Sequence, residues 1–280
     1  MLSRKTKLFI RILIGIIGST SCSYNSGIDP VQFSLFAPSA ESVDLIIFSN
    51  AEDNVGHTYH MIKNGDEFTL SLNGYFAGKY YGFRLKNIDK NTQQFPINTI
   101  IADPYSRAVA SQNHHAPINK TIIMDTQFNW DGDTWLNIPH RDLMIYEAHV
   151  KDMTRHPSAK NSMPGTYLGF VELDQEGGIA HLKEMGYNAV EFLPLFEFGN
   201  VEIPYLDSTQ FITNTWNPYE SNHWGYMPSF FFAPEGSYAS NASNDKNGWN
   251  GTNGQQINEF KTMVKGLHAE GIAVILDVVY

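Results

Sequence analysis

The stretch GIAHLKEMGYNAVEFLPLFEF, residues 178–198, joins a helix pattern directly to a buried-strand pattern, and its reading sets the fold class. Ile179, Leu182 and Met185 recur three apart, as on one face of a short helix, and Gly186 supplies the stop. The run YNAVEFLPL follows at once without polar alternation, as expected of a strand in a parallel sheet. Upstream, LMIYEAHV (Leu143 to Val150) is a second such run, expected to be buried on both faces. Downstream, QQINEFKTMVKGLHAEG (residues 255–271) puts Ile257, Phe260, Val264, Leu267 and His268 on one helix face and closes on Gly271. It leads into a third strand, IAVILDVVY. Strand, helix, strand, helix, strand with short connections is a parallel βα array, and it occupies 141–280.

The chain before it has a different rhythm. VQFSLFAP and EFTLSLNG alternate, SVDLIIFS is β-branched and apolar, and KYYGFRLKN follows Asn73-Gly74. Short strands at such spacing, with no helical period, predict an all-β antiparallel sandwich over 29–135. There is no internal repeat beyond the βα alternation. The polar segment NASNDKNGWNGTNG (Asn241 to Gly254) reads as a flexible insertion.

Of the 280 residues, 42% are hydrophobic and 17% charged, an ordinary globular composition with ample chain for a core. A net charge of −10 without a basic cluster beyond the N-terminus excludes a nucleic-acid surface, which selects Lys and Arg. At that N-terminus, Arg4, Lys5 and Lys7 precede an apolar stretch and small residues, the layout of a signal peptide over 1–22. Cys22, the single cysteine, stands where a bacterial lipoprotein is lipidated, but Ser19 replaces the usual leucine three positions earlier. A lipoprotein signal with membrane anchoring through Cys22 and a plain signal peptide both remain open. Either one exports the mature chain, and a single cysteine forms no intrachain disulfide.

In βα arrays functional groups collect where strands end. His149, Lys151 and Asp152 follow the first strand; Glu191 and Glu197 lie on and just after the second; Asp277 closes the third. The segment NHWGYMPSFFFAPEGSYAS (Asn222 to Ser240) carries Trp224, Tyr226, three phenylalanines and Tyr238 on a loop of that face. Aromatic rings there pack on pyranose faces as on any apolar surface. Tyr226, between a glycine and a Met-Pro turn, reads as a ligand contact, and the phenylalanines as a small core of the loop. Glu197 and Glu235 read as solvated loop carboxylates, and Glu191 as a group of the strand wall. No EF-hand loop and no Cys/His metal spacing occurs in the sequence.

WGYMPSFFFAPEGSYAS followed by INEFKTMVKGLHAEGIAVILDVVY resembles the α-amylase superfamily, glycoside hydrolase family 13, and within it type I pullulanases and related debranching enzymes. IYEAHVKDMT resembles the first barrel strand of that group. FSLFAPSAESVDLIIF and IADPYSRAV resemble its immunoglobulin-like early-set domain, of carbohydrate-binding-module type. The likeness spans about Val31 to Tyr280. It implies the first part of a (β/α)8 TIM barrel after the sandwich, an α-glucan substrate, and no cofactor, with calcium left open. It also implies that Asp277 matches the Asp of the DVVxNH motif, that Tyr226 stacks on the glucose at the cleavage point, and that Trp224 adjoins the substrate. The family cleaves with retention, by two carboxyl groups about 5–5.5 Å apart. It draws them from its fourth and fifth barrel strands, so none of the glutamates here is a catalytic candidate. An array of three strands leaves an open edge, so the chain reads as an incomplete gene product whose partner strands belong after Tyr280.

Overall fold

The computed structural model describes residues 22–23, 30–86, 99–114, 119–200 and 222–279. The predicted signal segment therefore lies outside the described residues except for Cys22. Contacts divide the chain into two compact units, one of residues 1–105 with 123–125 and one of 106–122 with 126–280. The division falls earlier than the change in sequence rhythm near 141, because a hairpin that reads like the sandwich strands packs with the later residues.

Among its described residues the first unit contains strands and no helix. β1 (Cys22–Ser23), β2 (Val31–Phe36), β6 (Glu67–Leu72) and β5 (Ile62–Asn64) form one antiparallel sheet in the order β1-β2-β6-β5. β4 (His57–His60), β3 (Ser42–Phe48), β7 (Tyr80–Lys86) and the short β8 (Ile100–Ile101) pair in turn as the second. The alternation in β2 sends Val31, Phe33 and Leu35 inward against Val43, Leu45 and Ile47 of β3, with Phe68, Tyr81 and Phe83. Phe33 meets the edge of Tyr81 at 5.2 Å, and the Tyr81 hydroxyl donates to the buried Asp103 carboxylate at 2.7 Å.

A second buried carboxylate, Asp44, sits within the strands themselves. Register places Asp44 opposite both His60 and Arg84, and its fully enclosed carboxylate takes Arg84 at 2.9 Å and Lys86 at 2.6 Å, with His60 alongside. Burial by itself would raise the Asp44 pKa, but hydrogen bonds from Lys86, Arg84 and His60 outweigh it and lower the pKa to about 2.

The second unit opens with the hairpin of β9 (Val109–Gln112) and β10 (Lys120–Ile122). Its centre is a three-stranded parallel sheet, β11 (Ile145–Ala148), β12 (Ala189–Phe192) and β16 (Ala273–Leu276), in the order β11-β12-β16. Between these strands run α1 (Asp152–Arg155), α2 (Tyr167–Phe170), α3 (Ile179–Met185) and α4 (Gln255–Ala269). Thr166 caps α2 through its hydroxyl, and Gly186 ends α3 at φ 79°. Ala148, Val190 and Phe192 pack on Ile179 and Leu182 of α3 and on Met263 and Leu267 of α4.

Three expectations need correction. LMIYEAHV is covered on one face only: Ile145 and Glu147 are exposed, because the helices pack on the side of Tyr146 and Ala148. The phenylalanine run is strand, not loop. β14 (Pro228–Pro234) pairs antiparallel with β13 (Phe196–Phe198), burying Phe230 and leaving Phe232 exposed. The Asn241 to Gly254 segment is anchored. Its β15 (Trp249–Asn250) adds to β9, and the buried Asn250 donates to the Asn113 side chain at 2.9 Å.

Replacing Asp44 with alanine leaves two cations and an imidazole without their shared partner. The first unit should lose about 2 kcal/mol in denaturant titration, since the cations reach water. Because the folded pKa lies below the ordinary 3.8, this contribution is complete above that value and disappears as pH falls toward 2. The mutant should therefore show a flatter acid limb than the parent.

Candidate functional site

The site builds up at the carboxyl ends of the parallel strands. Glu147 lies beside Glu191 in register, and Glu191 beside Ile275. Alternation along β16 and just past it then brings Asp277 to the face that carries Glu147 and Glu191. Asp277 receives a hydrogen bond from the Tyr226 hydroxyl at 3.2 Å, across 51 residues of sequence. Partial burial, the Asp277 charge and hydrogen bond, and the Glu147 charge all raise the Tyr226 pKa. Tyr226 remains 46% exposed, so a broad part of its ring is free to meet a ligand.

The tight WGY turn depends on Gly225. Its φ is 78°, and a Cβ there would stand 2.9 Å from the Phe198 ring and 3.0 Å from the Pro194 carbonyl. The glycine lets Trp224 and Tyr226 leave the same turn toward different neighbours. Trp224, 54% exposed, goes not to Asp277 but to two histidines: its ring lies 5.0 Å from His223 and 6.1 Å from His149.

His149, just past β11, is buried. Burial drives its pKa down to about 4, opposed by the charge of Asp152 and assisted by that of His223. Its Nε2 lies 3.1 Å from the hydroxyl of the fully buried Tyr238, and the Asp152 backbone N–H approaches its Nδ1 at 3.3 Å. Lys151 donates to Ser237 Oγ at 3.1 Å and lies over the Tyr238 ring, and burial lowers its pKa.

Glu197 and Glu235 are not solvated. Both are fully buried, since β13 runs beneath the Gly236–Tyr238 turn and its backbone N–H groups need acceptors there. Glu235 accepts from Phe198 N at 3.0 Å and from Ser237 N at 2.7 Å; Glu197 accepts from Gly236 N at 2.9 Å. Burial raises the pKa of each, and the charge of Glu235 raises that of Glu197 further. Enclosed and bonded in this way, neither reaches a substrate. The cluster of His149, Asp152, His223 and Tyr238 escapes sequence reading. The HVKD spacing places the first two on one turn, but nothing in the chain pairs them with residues 71 to 89 positions away.

Residues 17–106 match carbohydrate-binding module 48 (isoamylase N-terminal domain), an immunoglobulin-like all-β domain. The chain is 31% identical over 275 residues to the chloroplastic isoamylase SU1 of Zea mays, covering 92% of this chain and 31% of that one. It is 31% identical over 281 residues to the glycogen operon protein GlgX homolog of Haemophilus influenzae, covering 93% and 37%. Among solved structures, type I pullulanase from Bacillus subtilis complexed with maltose superposes with a TM-score of 0.70 at 27% identity, over 93% of this chain and 33% of that one. The chain thus spans about a third of the length of these relatives.

The two buried glutamates should answer differently to amidation. Both Glu235 oxygens accept backbone N–H groups, so Glu235→Gln turns an amide donor onto a donor and should cost about 1–3 kcal/mol. The other Glu197 oxygen faces the Ser111 hydroxyl, so Glu197→Gln keeps the Gly236 bond, can donate its amide to that hydroxyl, and should cost under about 1 kcal/mol. Urea unfolding of the two variants side by side checks the asymmetry.

Proposed function

We infer from these likenesses that the chain belongs with the debranching enzymes of the α-amylase superfamily (glycoside hydrolase family 13). On that premise we propose that it is the N-terminal part of an exported α-glucan hydrolase, a carbohydrate-binding module 48 followed by the first βα units of a (β/α)8 barrel. The observation that carries this reading is the Tyr226–Asp277 hydrogen bond at the carboxyl end of the parallel sheet. It joins an open aromatic ring to a carboxylate, the two groups a glucosyl unit needs: a surface for its apolar face and an acceptor for its hydroxyls. Tyr226 stacks on the sugar, Asp277 orients both the tyrosine and the sugar, and Trp224 widens the aromatic surface.

Hydrolysis with retention needs a carboxylate to attack the anomeric carbon and a carboxylic acid to protonate the departing oxygen. Neither task falls to Glu197 or Glu235, sealed as they are by backbone donors. In this reading the pair comes from barrel strands outside these 280 residues, and this chain holds glucan without cleaving it. A second reading, a glucan-binding remnant with no hydrolytic parent activity, is favoured by one observation: the family match at residues 17–106 falls on the sandwich module.

The basic-then-apolar order of residues 1–22 supports export, with Cys22 either lipidated or an ordinary residue beside a plain signal peptide. Among the described residues no helix is long and apolar enough to cross a membrane. The mass of the mature N-terminal peptide distinguishes a lipid-modified Cys22 from a plain cleaved end.

Titration calorimetry of the 280-residue chain with maltotetraose tests the site. Tyr226→Ala should weaken binding about tenfold and Tyr226→Phe about threefold, since the latter keeps the ring but loses the Asp277 bond. Unchanged affinity in both variants would move glucan binding away from Tyr226. Reducing-sugar release from pullulan should stay at the blank, and reproducible turnover would overturn the placement of nucleophile and acid outside this chain.

A further inference from the structure

Beside the aromatic turn, three side chains from separate elements converge on one point. Asp152 Oδ2, at the start of α1, lies 3.1 Å from His223 Nε2 and 3.5 Å from His149 Nδ1. The three ligand-capable atoms all fall within 4.8 Å of one another. Two ligands of a tetrahedral zinc ion with bonds near 2.0–2.1 Å stand about 3.3 Å apart, and the two measured separations bracket that value.

The surroundings match what a metal-binding histidine needs. The Asp152 amide points at His149 Nδ1, so Nδ1 carries the lone pair and Nε2 carries the hydrogen, directed at the Tyr238 hydroxyl 3.1 Å away. An outer N–H held by a fixed oxygen turns the lone pair of the other nitrogen toward the Asp152 carboxylate, the usual second-sphere arrangement of metal-ligating imidazoles. The amide bond competes for this lone pair, but at 3.3 Å it is long and weak. Trp224 stands edge-on to both imidazole rings, which lie 4.6 Å apart. His149 is enclosed while Asp152 and His223 are half-exposed, so a bound ion would keep a position open to water. Lys151 brings a nearby positive charge, but its ammonium is committed to Ser237 and the Tyr238 ring.

We propose that His149, Asp152 and His223 form a binding site for a divalent transition-metal ion of the zinc class. Two imidazoles and one carboxylate suit zinc, copper, nickel or cobalt and not calcium, whose ligands are oxygens. The ion ties the turn bearing Trp224 and Tyr226 to the end of β11. The site stands independently of the glucan reading, because its geometry invokes no sugar.

The test is a cobalt titration of the full 280-residue chain, followed through the visible absorption of four-coordinate Co²⁺ and then displaced with Zn²⁺. One equivalent should bind with a dissociation constant below about 100 μM, and His223→Ala and Asp152→Asn should each weaken it by about tenfold or more. Both substitutions fall at half-exposed positions, so circular dichroism should show the parental fold. Absence of saturable binding below about 1 mM would overturn the site and leave a hydrogen-bonded His–Asp–His cluster. Binding that survives in both variants would place the ion on other histidines and overturn it equally. Maltotetraose affinity, measured separately, distinguishes failure of this site from failure of the sugar site.

Discussion

Glu235 is the constraint on which the site depends. Its carboxyl group accepts two backbone N–H groups, Phe198 from β13 and Ser237 from the following turn, and its own carbonyl accepts the Tyr167 hydroxyl at 3.0 Å. One residue thereby holds a strand, a turn and a helix. Tyr238, two positions on, is placed by this arrangement against His149, and the turn also accepts the Lys151 ammonium. A carboxyl group with no water around it is costly to leave unpaired. The hydrogen bonds that satisfy it are the same ones that shape the loop face.

The helix beneath follows the same logic. Periodicity assigns α4 an apolar stripe through Ile257, Phe260 and Leu267, yet the buried residues include Gln256 and Glu259. Gln256 donates to the Val109 carbonyl at 3.1 Å, and Glu259 receives Ser240 through both its backbone N–H and its hydroxyl. These polar residues are buried because they close the backbone of β9 and of the loop after β14. The helix thus uses its polar side to hold loops and its apolar side to hold the sheet.

The aromatic turn divides its rings by chemistry. Gly225 reverses the chain so that Tyr226 meets a carboxylate while Trp224 meets imidazoles. The ring proposed to meet a glucan and the proposed metal cluster therefore share one turn.

Much of the architecture was legible from local pattern. Alternation in β2, the run of β3, the helix–glycine–strand join at residues 178–198 and the α4 period are all imposed by one-dimensional spacing of apolar side chains, which needs no knowledge of partners. The WGY and DVVY motifs single out Tyr226 and Asp277 in the sequence, and the fold joins the two by a hydrogen bond. Burial of Glu197 and Glu235, the strand character of the phenylalanine run and the meeting of His149 with His223 were decided only in three dimensions. A carboxylate in a loop has the same sequence signature whether water or backbone N–H groups surround it. Which of these surrounds it depends on chain segments about 40 to 90 positions away, and no local spacing encodes that.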